Sequence, residues 1–279
     1  MLPIHDDNPV RRPPVITWAI IAACIIIYFF WQPSPFSDDV QDTEFSLRHA
    51  AIPCEVVQDR PLDIAEVNAT YGVPNGDDEA CNIDNGQSPP SPYGRDKNVW
   101  LAVVTSMFLH GSLLHIGGNL LFLWVFGNNI EDVLGKVGFL LFYLAGGVVA
   151  TLGHVALNLD STVSLVGASG AIAAVMGAYL VLFPKARVYT VVFFILITIL
   201  PLRAWMVLGF WFVLQFFTDP NSGVAWAAHV TGFVFGMLVG LIVRSVRGDP
   251  RPVDRRPPPS FGGGPRPAWN DPRYGGGYR

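Results

Sequence analysis

Six stretches of this chain, 98–130, 137–159, 161–184, 188–202, 204–218 and 220–243, contain no Asp, Glu, Lys or Arg. A soluble domain carries roughly a quarter charged residues spread over its surface. This 279-residue chain has 14% charged and 51% hydrophobic residues, and the charges sit between the apolar runs. That pattern excludes an ordinary cytosolic enzyme and implies an all-α polytopic membrane protein. The net charge of −4 is too small and too dispersed for nucleic-acid binding.

A helix needs about 20 apolar residues to cross a bilayer, with roughly 17 as a lower bound. The first candidate is 15–31. Arg11 and Arg12 precede it and no small-residue cleavage site follows, so a retained span is expected rather than a signal peptide. The runs 112–127, 137–157, 169–183, 202–217 and 224–243 bring the count to six. The run 188–200 is apolar but only 13 residues long, and Pro201 closes it. It is expected to be interfacial or re-entrant rather than a seventh span.

Charge orients these spans. The segment 32–97 holds thirteen acidic and four basic residues, a net of −9. The tail 244–279 holds eight Arg and three Asp, a net of +5. Positive segments stay in the cytoplasm. The expectation is a cytoplasmic tail at 1–14, an acidic outer loop at 32–97 and a second cytoplasmic tail at 244–279. That last segment has eight Pro and seven Gly and no apolar periodicity, so it is expected to be disordered. Its arginines suit anionic headgroups or simply anchor the topology. No organelle-targeting segment is recognisable, which favours a plasma membrane. The loop's acidity reads as a solvated surface, or as a selector for basic juxtamembrane segments through Asp77, Asp78 and Glu79. Cys54 and Cys81 share this oxidising location and are expected to form a disulfide, while Cys24 is an apolar filler.

Polar residues inside a membrane are expensive, so each is a functional candidate. His115 and Asn119 lie on one face of the second span at i and i+4. Ser169 opens the fourth within Gly167-Ala168-Ser169-Gly170, and His229 lies near the start of the sixth. On the topology above, all four fall at one depth near the outer surface. Taken singly, Ser169 reads as a helix N-cap, Asn119 as interhelical glue and His229 as a structural histidine. Their shared depth is the informative feature. Serine becomes nucleophilic when an imidazole takes its proton. No carboxylate lies in the spans to orient His229, so the expected unit is a dyad. The Ser169 amide at a helix start, with His115 and Asn119, would supply oxyanion donors, and Gly167 the close backbone approach. Small residues Ser169, Ala173 and Gly177 on one span and Gly232, Gly236 and Gly240 on the other would let the two helices pack closely. The hydrolase elbow G-x-S-x-G and the zinc motif H-E-x-x-H are both absent, and six histidines in all make a metal site improbable.

These residues resemble the three signatures of the rhomboid intramembrane serine proteases: His110-Gly-Ser-Leu-Leu-His115-Ile-Gly-Gly-Asn119, Gly167-Ala-Ser169-Gly170 and Ala228-His229-Val-Thr-Gly232. Glu131-Asp132 and Gly232-x-x-x-Gly236 fit the same pattern, over about 98–243. The resemblance implies a six-transmembrane-helix bundle with a water-filled cavity open to the outside. It implies Ser169 as nucleophile, His229 as base, His115, Asn119 and Gly167 in the oxyanion hole, and His110 hydrogen-bonding in the loop above. It implies single-span membrane proteins as substrates, cleaved near the outer membrane face at small residues beside helix-breaking ones, with no cofactor and no metal. Trp211 and Phe212 in the fifth span read either as a lateral gate or, with Phe210, as side chains facing lipid. A Trp-Arg pair found in the first loop of some members is missing, Trp100-Leu101 being the nearest counterpart. A non-catalytic membrane-protein binding or quality-control factor on the same fold is the alternative.

Overall fold

A computed structural model describes residues 1–33, 39–74, 76–193, 197–219 and 223–248. The chain opens with a strand, β1 (Leu2–Asp6), and a helix, α1 (Val15–Phe30). Three short helices follow, α2 (Asp39–His49), α3 (Pro53–Gln58) and α4 (Ile64–Tyr71). Then come α5 (Val99–Thr105), a 3-10 turn at Ser106–Phe108, α6 (Leu113–Leu134), α7 (Lys136–Leu157) and α8 (Ser169–Leu182). A hairpin of β2 (Arg187–Phe193) and β3 (Ile197–Arg203) leads to α9 (Ala204–Gln215) and α10 (Trp226–Arg247).

By length and composition α6, α7 and α10 can cross a membrane, while α1, α8, α9 and Val99–Phe108 are shorter apolar helices. Their inward faces meet in one core containing Leu123, Phe126, Phe139, Tyr143, Tyr179 and Phe233. Their outward faces stay apolar: Trp18, Phe30, Leu141, Phe217, Leu238 and Ile242 are all exposed. A surface of that kind suits lipid, not water.

The α8–α10 contact is the tightest in the bundle. A Cβ on Gly232 would stand 2.3 Å from the Gly170 carbonyl oxygen, and one on Gly236 1.9 Å from that of Ala174. One on Gly177 would stand 2.0 Å from the carbonyl oxygen of Phe233. Only glycine permits such backbone contact. The small-residue face of α10 is therefore Gly232, Gly236 and Gly240, as expected. On α8 it is corrected by one position: Gly170, Ala174 and Ala178 meet those glycines, not Ser169 and Ala173. The shift turns Ser169 out of the packed seam and toward the cavity.

α6 runs seven residues past the expected end at 127, and the extension has a cause. Glu131 Oε2 accepts from the Thr17 amide and hydroxyl, both at 2.8 Å, and Oε1 accepts from the Ile16 amide at 3.0 Å. Free amides at the start of α1 thus find a buried carboxylate.

Two further expectations need correction, the wholly helical fold and the solvated acidic loop. The fold is not wholly helical, because the described parts of the run 188–200 lie in the paired strands β2 and β3. Its β-branched and aromatic residues favour extended backbone, and β3 is an edge strand, where Pro201 is tolerated. Within the stretch 1–14, β1 pairs antiparallel with β2 from Leu2↔Val191 to Asp6↔Val188. The acidic loop is also more than a solvated surface. Leu47, Ile52, Cys54, Leu62 and Val67 make a small core, and Glu55, Asp63 and Glu66 are buried. Glu66 accepts from Arg60 at 2.8 and 2.9 Å, from the Asn82 amide at 2.7 Å and from the Asp63 amide at 2.8 Å, completing a capping box at α4. Glu55 pairs with Lys97, both side chains about 1% exposed, and Cys54 and Cys81 are disulfide-bonded. Asp77, Asp78 and Glu79 remain exposed. Residues 249–279, most of the expected disordered tail, lie outside the described residues.

Two tests follow from this packing. Gly236→Val is expected to destabilise the protein by about 3 kcal/mol or more, since backbone must move. Gly209→Ala, where a Cβ meets open space, is expected to be neutral or mildly stabilising in thermal unfolding. At the far end of α8 from Ser169, Asp6 accepts from Tyr179 at 2.6 Å and from Asn129 at 2.8 Å. Burial outweighs these bonds and pushes the Asp6 carboxyl up from 3.8 to about 6. A raised folded-state value means stability present below the unfolded pKa and lost as pH rises through the folded one. Amide exchange across β1–β2, corrected for intrinsic rate, is expected to be slower at pH 5 than at pH 7. Asp6→Asn is expected to abolish that difference.

Candidate active site

Packing sets the site. Gly170 of α8 lies against Gly232 of α10. Ser169 is one residue before Gly170, and His229 is three residues, nearly one turn, before Gly232. The contact that closes the glycine seam therefore brings the two side chains together at its edge. Ser169 Oγ lies 2.8 Å from His229 Nε2. Both are half-buried.

They open onto a cavity of about 640 Å³, also lined by His115, Asn119, Trp211 and Met176. Such a volume is ordinary for a small ligand or a few residues of peptide. His115 and Asn119 come from successive turns of α6, whose start is capped by Ser112 accepting from the His115 amide at 3.1 Å. Asn119 Nδ2 is buried and has no hydrogen-bond partner among the described residues. An orphaned donor facing a cavity is costly unless something in the cavity accepts from it.

Gly167 shapes the rim. Its φ of +130° is a conformation L side chains rarely adopt, and a Cβ there would stand 2.7 Å from His115 Nε2. Its amide donates to the Ser106 carbonyl at 2.9 Å, so it is not a free oxyanion donor. Gly167 contributes shape. The Ser169 amide opens α8, where amides have no intrahelical acceptor.

His110 lies in the loop just before α6. Its backbone bonds to Gln32, which accepts from its amide at 3.0 Å and donates to its carbonyl at 2.9 Å. The ring is buried edge-on against His115, 5.2 Å between centroids, and neither nitrogen has a close hydrogen-bond partner among the described residues. Burial, and secondarily His115, lowers its pKa to about 4, so it stays neutral. In α9, Phe210 is exposed, but Trp211 and Phe212 turn inward. The Trp211 ring lies 5.7 Å from His229 and Phe212 stacks at 4.7 Å on Phe233, so these two do not simply face lipid. Trp100 Nε1 donates to Asp59 at 3.0 Å, tying α5 to the turn after α3.

Sequence reasoning missed Gln215, whose Oε1 lies 2.7 Å from His229 Nδ1. The one available signal was an uncharged polar residue inside an apolar run.

A family model for the Rhomboid domain matches residues 97–246. Rhomboid protein 1, mitochondrial, of Saccharomyces cerevisiae is 28% identical over 149 residues, 50% of this chain and 41% of that protein. The putative rhomboid protease YdcA of Bacillus subtilis is 31% identical over 146 residues, 51% of this chain and 67% of that protein. Rhomboid protease GlpG of Yersinia pseudotuberculosis is 32% identical over 138 residues, 49% of this chain and 45% of that protein. The chain thus spans less than half the length of the yeast and Yersinia relatives.

Gly167→Ala is expected to force the His115 ring out of its position. The backbone strain alone should lower stability by about 1–2 kcal/mol, read from thermal unfolding in detergent.

Proposed function

The chain belongs to the rhomboid family, and from that premise we propose that it is an intramembrane serine endopeptidase working through a Ser169–His229 dyad. The observation that carries the reading is the 2.8 Å contact between Ser169 Oγ and His229 Nε2, at the wall of a cavity that also holds the orphaned Asn119 amide.

In this reading Ser169 Oγ attacks the scissile carbonyl carbon as its proton passes to His229 Nε2. The Ser169 amide, Asn119 and His115 hold the developing oxyanion. Collapse breaks the C–N bond, and the departing amine takes the proton from Nε2. Water then attacks the acyl-enzyme, with His229 again as base, and releases the acid and Ser169. The chemistry calls on no cofactor or metal.

The architecture proposed around this site has six membrane spans, α1, α6, α7, α8, α9 and α10. A catalytic core over 98–243 holds five of them. Both termini lie in the cytoplasm, and the folded acidic insert and the cavity mouth face outside. The preferred substrates are single-span membrane proteins cut near the outer face, and the preferred location is a plasma membrane. A non-catalytic binding role would leave the Ser169–His229 contact without use.

Labelling by a fluorophosphonate probe and cleavage of a transmembrane test substrate are expected for the purified protein. Ser169→Ala should abolish both, and His229→Ala should lower them at least about a thousandfold. Asn119→Ala should cost roughly a hundredfold in kcat, as loss of one oxyanion donor does elsewhere. A folded wild type that neither labels nor cleaves would overturn the reading.

A further inference from the structure

We propose that Gln215 is a positioning residue that holds His229 in the one tautomer able to deprotonate Ser169. The inference rests on the protease reading above.

A neutral imidazole carries one proton. To accept from Ser169 Oγ, Nε2 must be bare, so the proton must sit on Nδ1. Something has to stabilise that choice, because the opposite tautomer would let Nε2 donate to Ser169 and leave no base. No Asp or Glu lies in α8, α9 or α10 to do so. Gln215 occupies the position instead, its Oε1 2.7 Å from Nδ1. The residue is 8% exposed and is the last of α9.

A glutamine amide can present either end, so its orientation needs its own cause. Gln215 Nε2 donates to the Trp211 carbonyl oxygen at 3.0 Å, one turn back on the same helix. Reversing the amide would set Oε1 against that carbonyl, two acceptors face to face. The backbone of α9 therefore commits Oε1 to His229, and Oε1 commits the proton to Nδ1. The chain of donors runs Gln215 to Trp211, His229 to Gln215, Ser169 to His229, and every member is satisfied. Trp211 itself packs at 5.7 Å on the His229 ring and limits its rotation. When His229 takes the Ser169 proton it becomes imidazolium, with Nδ1–H still held by Gln215. A neutral acceptor steadies that cation less than a carboxylate would, so Gln215 acts mainly by orientation.

The other titratable side chains acting on His229 are His115 of α6 and His154 of α7. Neither is hydrogen-bonded to its Nδ1, which leaves Gln215 as the acceptor there among the described residues.

The test compares wild type with Gln215→Leu, Gln215→Asn and Gln215→Glu in the full chain, reconstituted in vesicles. Fluorophosphonate labelling rate, kcat, KM and the pH–rate profile are measured with a transmembrane test substrate. Gln215→Leu removes the acceptor and is expected to lower labelling and kcat by at least about tenfold, with KM within about twofold. Gln215→Glu restores an acceptor and should recover most of the labelling rate. It should also move the acid limb of the profile to higher pH, because a carboxylate favours the protonated ring. Gln215→Asn, one methylene short, should resemble Gln215→Leu. Wild-type rates in a folded Gln215→Leu would overturn the proposal. So would equal losses in the Leu and Glu variants with an unmoved acid limb, which would mark a packing role. Should the Leu variant fail to fold, the Glu variant's acid limb decides alone. Failure of the wild type to label would overturn the protease reading, and this inference with it. Labelling of the wild type with no effect at Gln215 would overturn the inference alone.

Discussion

The structure depends on one close approach, the backbone of α10 lying on the backbone of α8. Gly232, Gly236 and Gly177 sit where any Cβ would collide with a main-chain atom. In lipid, apolar side chains gain little by leaving their surroundings, so helices hold together through close van der Waals fit. Here that fit also sets geometry. With Gly170 against Gly232, Ser169 and His229 have one arrangement, and their 2.8 Å separation is a by-product of packing below them.

The rest of the bundle holds that seam and its rim in place. At the end far from the cavity, α1 is tied through its free amides to Glu131, and β1 through Asp6 to Asn129 and Tyr179. At the cavity end, the folded acidic insert grips the segment before Ser169. The Leu165 amide donates to the Ala51 carbonyl at 2.7 Å, and the Ala51 amide to Ser106 Oγ at 2.6 Å. The Gly167 amide donates to the Ser106 carbonyl. The insert is thus continuous with the cavity rim. The insert, cross-linked by Cys54–Cys81 and holding the buried Glu55–Lys97 pair and the half-buried Arg60–Glu66 pair, thereby touches the loop that carries Gly167.

Much of this was readable beforehand. The helices α1, α7, α8, α9 and α10 lie within a few residues of the apolar runs that announced them, because in lipid a helix satisfies its backbone groups within the segment itself. Ser169, His229, His115 and Asn119 were found as polar residues in apolar runs, and the structure gathers all four around one cavity. Where the reading failed, long-range contact was the cause. α6 outran its apolar stretch because Glu131 had a partner 114 residues earlier in the chain. The strands β2 and β3 of the run 188–200 joined a sheet whose third strand, β1, lies nearly two hundred residues earlier in the chain. The buried acids of the insert looked solvated because their partners, Arg60 and Lys97, could not be assigned from order alone.

The sequence by itself determined which residues prefer lipid, which few are polar among them, and which helices can approach closely. Those are properties of each side chain and its near neighbours, and composition and spacing express them directly. Only the tertiary structure decided the rotation of α8 that puts Gly170 and Ala174, not Ser169 and Ala173, against α10. It also decided that an unremarked glutamine at the end of α9 would meet Nδ1 of His229. Helix rotation and axial offset follow from how whole surfaces fit. A shift of one residue turns a helix face by about 100°, and nothing in local sequence spacing distinguishes the two settings.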